Sequence, residues 1–178
     1  MTESNYHSLS NSTIFNENLK RLNASLKTKL EENNYLPVLI GNLFYDHEQM
    51  NPPFYDSSLL KDCEEKRIRL YQAAQGKRTM FEIGLNGGHS AFLSLMSNKE
   101  LMVYSNDIAE FYKPCPNIHP EIYVHAGANT LTEMFPNRFQ FIRGSCLTEV
   151  PKFVKNNPNV LLDLVHIDGD KSTYKQDF

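Results

Sequence analysis

Tryptophan is absent, cysteine is scarce, and neither sign of charge dominates. The sequence of 178 residues holds three cysteines, Cys63, Cys115 and Cys146. Their odd number and wide spacing argue against a disulfide framework and against a zinc knuckle. Lys+Arg 18 against Asp+Glu 21 leaves a formal charge of -3. No strong field is available to recruit nucleic acid or an anionic membrane surface. No apolar run approaches the ~18 residues of a membrane-spanning helix. The opening MTESNYHSLSNSTIF lacks the basic-then-apolar order of a secretory signal. Asn11 and Asn23 begin glycosylation sequons that carry little weight without such a signal. The expected compartment is a reducing cytoplasm. What is present, 40% hydrophobic and 22% charged residues, suits one globular domain and is too short for two good cores.

The chain divides into three stretches. Residues 1–12 are rich in Ser and Asn, bury little, and are expected to fray as a flexible N-terminus. Residues 13–76 form a helical region. Ile14, Leu19, Leu22, Leu26 and Leu30 recur at helical spacing and predict an amphipathic helix ending near Asn33 and Asn34. A short apolar stretch, Leu36 to Leu43, leads to the breaker Asn51-Pro52-Pro53. A second helix is expected from Asp56 or Ser57, with Leu59, Leu60, Cys63, Leu70, Tyr71 and Ala74 on its apolar face and Gln75-Gly76 as its stop.

From residue 77 onward strands and helices alternate. Strands are expected at Thr79 to Ile83, Leu101 to Ser105, Arg138 to Ile142 and Leu161 to Ile167. Helices are expected at Ser90 to Met96, Ile122 to Met134 and Leu147 to Lys155. This alternation implies βαβ crossovers and a mainly parallel sheet, an α/β fold whose ligands bind at the carboxyl ends of the strands. The segment Leu161-Leu162-Asp163-Leu164-Val165-His166-Ile167 is too apolar for an unprotected edge. The chain therefore reads as cut short after its fourth strand, with a second copy or a partner chain expected over the exposed edge.

The strongest local signal is Phe81-Glu82-Ile83-Gly84-Leu85-Asn86-Gly87-Gly88-His89-Ser90-Ala91. A strand runs into a glycine-rich turn and then into a helix, with Ser90 expected as its cap. Such a turn brings backbone N–H groups and the positive end of a helix dipole close to a ligand. The dinucleotide pattern G-x-G-x-x-G fits poorly, because Asn86 and His89 occupy two of its glycine positions. The acidic Glu82 before Gly84 points elsewhere. The pattern E-x-G-x-x-x-G-x-S resembles motif I of class I S-adenosylmethionine-dependent methyltransferases. That resemblance implies that Gly84, Asn86, Gly88 and Ser90 wrap the methionine part of the cofactor, with Glu82 helping to hold its amino group.

Further residues extend the resemblance over roughly Thr79 to Tyr174. Asp107 closes the second strand, where a carboxylate can accept both ribose hydroxyls; Asn106 and Glu110 are neighbours able to take that role. The third strand ends in Arg143-Gly144-Ser145-Cys146, and Ser145 stands beside the position that relatives use near adenine. Cys146 reads as a helix-start residue rather than a nucleophile. The fourth strand ends in Asp168-Gly169-Asp170-Lys171-Ser172-Thr173-Tyr174. This resembles small O-methyltransferases of the catechol and caffeoyl-CoA type, and a related group carrying Asp-Gly-x-His.

In the cation-dependent members the Asp holds magnesium and the Lys takes the hydroxyl proton. The resemblance thus implies Asp168 as a metal ligand, with Mg2+ as a second cofactor, and Lys171 as the base. The remaining metal ligands of that group come from a later strand that has no counterpart in this sequence. His89, His119, His125 and His166 share no ligand spacing, and His166 is expected to face a neighbouring helix.

Taken together the resemblance implies a Rossmann-like methyltransferase fold, strands 3-2-1-4 with the distal strands missing, preceded by N-terminal helices. Residues 77–178 would be the S-adenosylmethionine-binding domain. The expected activity is O-methylation of a small-molecule or sugar hydroxyl. The competing expectation is an inactive or partner-dependent cofactor-binding protein.

Overall fold

In the computed structural model, residues 2–36, 43–44, 61–110 and 119–169 are described. Among the described residues three helices come first: α1 (Thr2–Ser10), α2 (Thr13–Glu32) and α3 (Glu64–Ala74), the last entered through a 3-10 turn at Lys61–Cys63. Strands and helices then alternate as β1 (Thr79–Ile83), α4 (His89–Ser97), β2 (Met102–Asp107), α5 (Pro120–Met134), β3 (Phe139–Arg143), α6 (Cys146–Asn156) and β4 (Leu164–Ile167). The four strands are parallel and ordered β3-β2-β1-β4. This is the α/β, Rossmann-like arrangement that the alternation of elements predicts.

The stretch expected to fray is helical instead. Tyr6 of α1 is buried, and its hydroxyl accepts a 2.7 Å hydrogen bond from Nε of Arg67 in α3. A single aromatic anchor with a buried polar partner holds a segment whose composition gave no such signal. In α2 the Ser12 hydroxyl caps the helix by accepting from the Phe15 amide. The apolar face is Phe15, Leu19, Leu22, Leu26 and Leu30, while Ile14 points outward and is 66% exposed. The expected start of the second helix, with Leu59 and Leu60, lies outside the described residues. Within α3 the buried set includes Arg67 beside Leu70, Tyr71 and Ala74.

Alternation along the strands gives the sheet two different faces. Met80, Val103 and Phe139 join the main core with Leu22, Leu26, Phe92 and Leu131 from the helices. On the opposite face, Phe153 of α6 lies against Phe81 and Tyr104, at ring-centroid distances of 5.0 and 4.7 Å. Phe153 is the buried residue of α6.

The N-terminal part of β4 is fastened to β1. Asp163 Oδ2 accepts from the amides of Arg78 and Thr79 at 2.7 and 3.2 Å, and the Thr79 hydroxyl donates to the Leu161 carbonyl. The two backbone hydrogen bonds, the Arg78 amide foremost, hold the Asp163 carboxyl below its usual pKa. Regular pairing therefore begins at Leu164 rather than Leu161.

Among the described residues no helix is long and apolar enough to cross a membrane.

Candidate functional site

The glycine-rich turn between β1 and α4 sits where the strand order reverses, between β1 with β2 on one side and β4 on the other. Ligands of open parallel sheets bind at such switch points. A small cleft, partly open to solvent, lies there and is lined by Leu43, Gly84–Gly87, His89, Ser90, His166 and Asp168.

Local geometry explains the glycines. Gly84 has φ +97, and a Cβ there would lie 2.6 Å from the Gly169 amide nitrogen and 2.8 Å from the Asp168 carbonyl. The end of β1 and the chain leaving β4 thus approach each other without room for a side chain. Asn86 also has a left-handed backbone, at φ 51. Its amide donates to Asp107 Oδ2 at 2.9 Å, and Oδ1 of the same carboxylate accepts from the Ala109 amide at 2.8 Å. The helix N-cap is Gly88, also left-handed, rather than Ser90. From behind, α5 comes so close that a Cβ on Gly127 would fall 2.9 Å from the Gly87 carbonyl oxygen.

Ser90 has a different task from capping. Its hydroxyl donates to Glu82 Oε1 at 2.5 Å, the Ser105 hydroxyl donates to Oε2 at 2.5 Å, and His166 Nδ1 lies 3.2 Å from Oε1. Glu82 is fully buried. One carboxylate thereby ties β1 to β2, β4 and α4 beneath the floor of the cleft. His166 faces this carboxylate and the cleft, correcting the expectation that it faces a neighbouring helix. The β1–β4 register, which sets Glu82 beside His166, is the reason. Burial works against a charged imidazole here, but the hydrogen bond and charge of Glu82, aided by Asp168, raise its pKa above the ordinary value.

His89 is the opposite case. It is buried, its Nε2 lies 2.8 Å from Asn23 Oδ1 of α2, and burial lowers its pKa to about 4. The imidazole is neutral near pH 7 and joins the N-terminal helices to the turn.

The residues singled out in the sequence are therefore brought together only in part. Gly84, Asn86, Ser90 and Asp168 line the cleft; Glu82, Gly88, Asp107 and Ser145 do not. Glu82 and Asp107 support the turn from below and from the side. Gly88 is buried, and a Cβ there would lie 2.8 Å from Leu131 Cδ1. Ser145 stands at the N-cap of α6, and Cys146 is that helix's first residue. Asn106 is buried and its amide donates to the carbonyls of Ile142 and Gly144, so it bridges β2 to the end of β3. Lys171 and Asp170 lie outside the described residues.

Sequence reading missed Lys66, whose ammonium on α3 lies 3.4 Å from Asp168 Oδ2. No local pattern marks a surface lysine that meets a strand end more than a hundred positions later. Arg67 is a second omission: it is buried, donates to the Leu43 carbonyl at 3.3 Å, and lies over the Phe44 ring, so it fixes a wall residue of the cleft.

Among the described residues no three His, Cys, Asp or Glu side chains form a group able to hold a metal ion. The carboxylate lining the cleft already has an ammonium beside it, and hard divalent cations want several oxygen ligands. The described residues do not fit magnesium. The bare turn lets a ligand approach the backbone closely, and α4 begins at the cleft, with the free N–H groups and positive dipole of a helix N-terminus. No family model matches the chain and no curated protein matches it, so the reading of this site stands on its own geometry.

Proposed function

We propose that the chain binds S-adenosylmethionine at the β1–α4 turn and transfers its methyl group to a hydroxyl oxygen of a small molecule or sugar. The observation that carries this reading is the cleft itself. A glycine-rich turn at the switch point is supported by an acid from the end of β2 and faces an acid at the end of β4. These features also match, in order and in element, the sequence pattern of class I methyltransferases.

When bound, the cofactor supplies an electrophilic methyl group on a sulfonium. The chain's residues then have to bind, orient and manage one proton. Gly84–Gly87 and the N-terminus of α4 would hold the polar end. Asp107 keeps Asn86 in its left-handed conformation and stands at the strand end where a ribose would lie. Lys171 is the proposed acceptor of the hydroxyl proton, three positions along the sequence from Asp168, which lines the cleft. Direct displacement needs little beyond alignment and a deprotonated oxygen.

Isothermal titration calorimetry of the full chain tests the cofactor, using S-adenosylmethionine and S-adenosylhomocysteine, with NAD as control and magnesium varied. Roughly micromolar binding of the first two, without NAD binding and without need of magnesium, is the expected result. Failure of a folded chain to bind either would end the reading. Lys171→Ala should keep cofactor affinity and lose turnover on any hydroxyl substrate found; unchanged turnover removes Lys171 from the mechanism.

A second reading is favoured by Leu161, Val165 and Ile167, which stand 81%, 52% and 54% exposed on and before the outermost strand. In that reading the protein works only when a second copy or a partner covers this side. Analytical ultracentrifugation decides: a monomer that binds and turns over substrate alone would sink it.

A further inference from the structure

Asn23 of α2 is 2% exposed and does not itself line the cleft. It reaches the cleft through a residue that does, because its Oδ1 lies 2.8 Å from Nε2 of His89. Deepening the cofactor reading, and resting on it, we propose that Asn23 is a positioning residue. By holding His89 it fixes the Gly87 peptide in the cleft wall, so that docking of α2 and binding of the ligand strengthen each other.

The contacts form one chain from helix to turn. A carbonyl oxygen only accepts, so His89 Nε2 donates to Asn23. Burial keeps the imidazole neutral near pH 7, and a neutral ring has a single N–H, which this bond commits to α2. The same ring stands against the turn: a Cβ on Gly87 would lie 3.1 Å from its Cε1 and Nδ1, and 3.2 Å from Leu26 Cδ1. Asn23 and Leu26 are three positions apart, hence neighbours on one face of α2, and both are buried. The Phe44 ring, centred 5.6 Å from the imidazole, meets it edge-on. From α5, Gly127 presses on the Gly87 carbonyl, and the Thr130 hydroxyl donates to that of Ser25 on α2 at 2.8 Å.

A peptide gripped by two helices at contact distance has no slack. Moving α2 moves the imidazole, and the imidazole moves Gly87. Coupling between two equilibria is reciprocal, so a ligand that needs the turn in this position also holds α2 in place.

The test reads the coupling from both ends. Calorimetry with S-adenosylhomocysteine is run on wild type, Asn23→Leu, Asn23→Asp, His89→Leu and the double variant Asn23→Leu/His89→Leu, each well below its own melting temperature. Asn23→Leu should weaken binding about tenfold, and Asn23→Asp, which keeps an acceptor oxygen in the same place, should recover most of the loss. With His89→Leu already present, Asn23→Leu should change the affinity by less than about twofold, because the route through the imidazole is gone. A purely structural role for Asn23 would lower the melting temperature without this dependence on His89. Wild type supplies a second readout that needs no substitution. Saturating S-adenosylhomocysteine should slow hydrogen exchange of the α2 amides around Asn23 about fivefold more than that of the last turn of α6, which lies on the other face of the sheet.

An Asn23→Leu affinity within about twofold of wild type, or the same loss with and without His89, overturns the coupling and leaves the cofactor reading intact. So does an α2 no better protected by the ligand than the end of α6. Absence of binding to folded wild type overturns the cofactor reading and this inference with it.

Discussion

The two faces of the sheet follow different rules. On one, Met80 and Val103 are completely buried under α2, α4 and α5, and Phe92 stands at the centre of a ring cluster with Phe15, Phe44 and Phe135. On the other, α6 is attached through Phe153, and Val165 and Ile167 of β4 remain more than half exposed. The cleft belongs to the crowded face. His166 on its floor and Glu82 beneath that floor share a sheet face with Met80 and Leu164, and its back wall is α4 braced by α2 and α5. Precision at the turn therefore draws on the part of the molecule with the densest packing, and the sparse face is free to differ without disturbing it.

The largest effect is expected where that precision is tightest. Gly84→Val adds a branched side chain to a left-handed backbone and drives its Cβ to within 2.6 Å of the Gly169 amide. About 5 kcal/mol should be lost, enough to unfold a small domain. A thermal melt by circular dichroism reads this, and a cooperative transition within a few degrees of wild type would show that the turn and β4 can separate freely. Next comes the pairing of Phe92→Ala with Phe153→Ala. The first empties the centre of the crowded core and should cost about 4 kcal/mol in urea denaturation. The second opens a site that water can reach and should cost about 2 kcal/mol. Equal costs would break the distinction between the faces.

A third effect comes from His89, which is kept neutral by burial with a pKa of about 4 against 6.5 when unfolded. Between those values the unfolded chain binds a proton that the folded chain refuses. Stability thus falls as pH drops from about 6.5 to about 4, and this group contributes no further loss below that. The full effect is on the order of 3 kcal/mol. His166 runs the other way: its folded pKa is raised, so its contribution is complete below the unfolded value and is lost as pH rises through the folded one. Urea midpoints at pH 7 and pH 5, for wild type, His89→Gln and His166→Gln, separate the two. A pH slope in wild type that persists in His89→Gln would move acid sensitivity elsewhere.

Much of the frame was legible because it is local. Thr79–Ile83 reads as a strand from five consecutive residues, and the glycine turn reads from the ten that follow. Asp107 was singled out as an acceptor for ribose hydroxyls, and in the structure its two oxygens accept from the backbone amides of Asn86 and Ala109. The partners of Glu82 were not legible, since His166 reaches it only through a register between strands 84 positions apart. Lys66, Arg67 and Gly127 were missed for the same reason: each acts through an element remote in sequence. Helix α1 was misread because composition weighs many polar side chains against one Tyr6, and one buried aromatic with an arginine partner was enough.

The smallest effect tests the sparse face directly. Val165 is 52% exposed, and its strand-mate across the register, Phe81, already has Phe153 as its cover. Val165→Thr keeps the branched shape that a strand prefers and exchanges a methyl group for a hydroxyl. On an uncovered surface that change should stay within about 0.5 kcal/mol. The same exchange in a dry contact would strand a hydroxyl and cost about 1–3 kcal/mol. Measured as a function of protein concentration, the substitution also separates a covered face from a bare one. A cost that grows with concentration means that a second copy of the chain sits on β4, because association stabilises the folded state by mass action. A cost near zero at every concentration leaves β4 bare in solution.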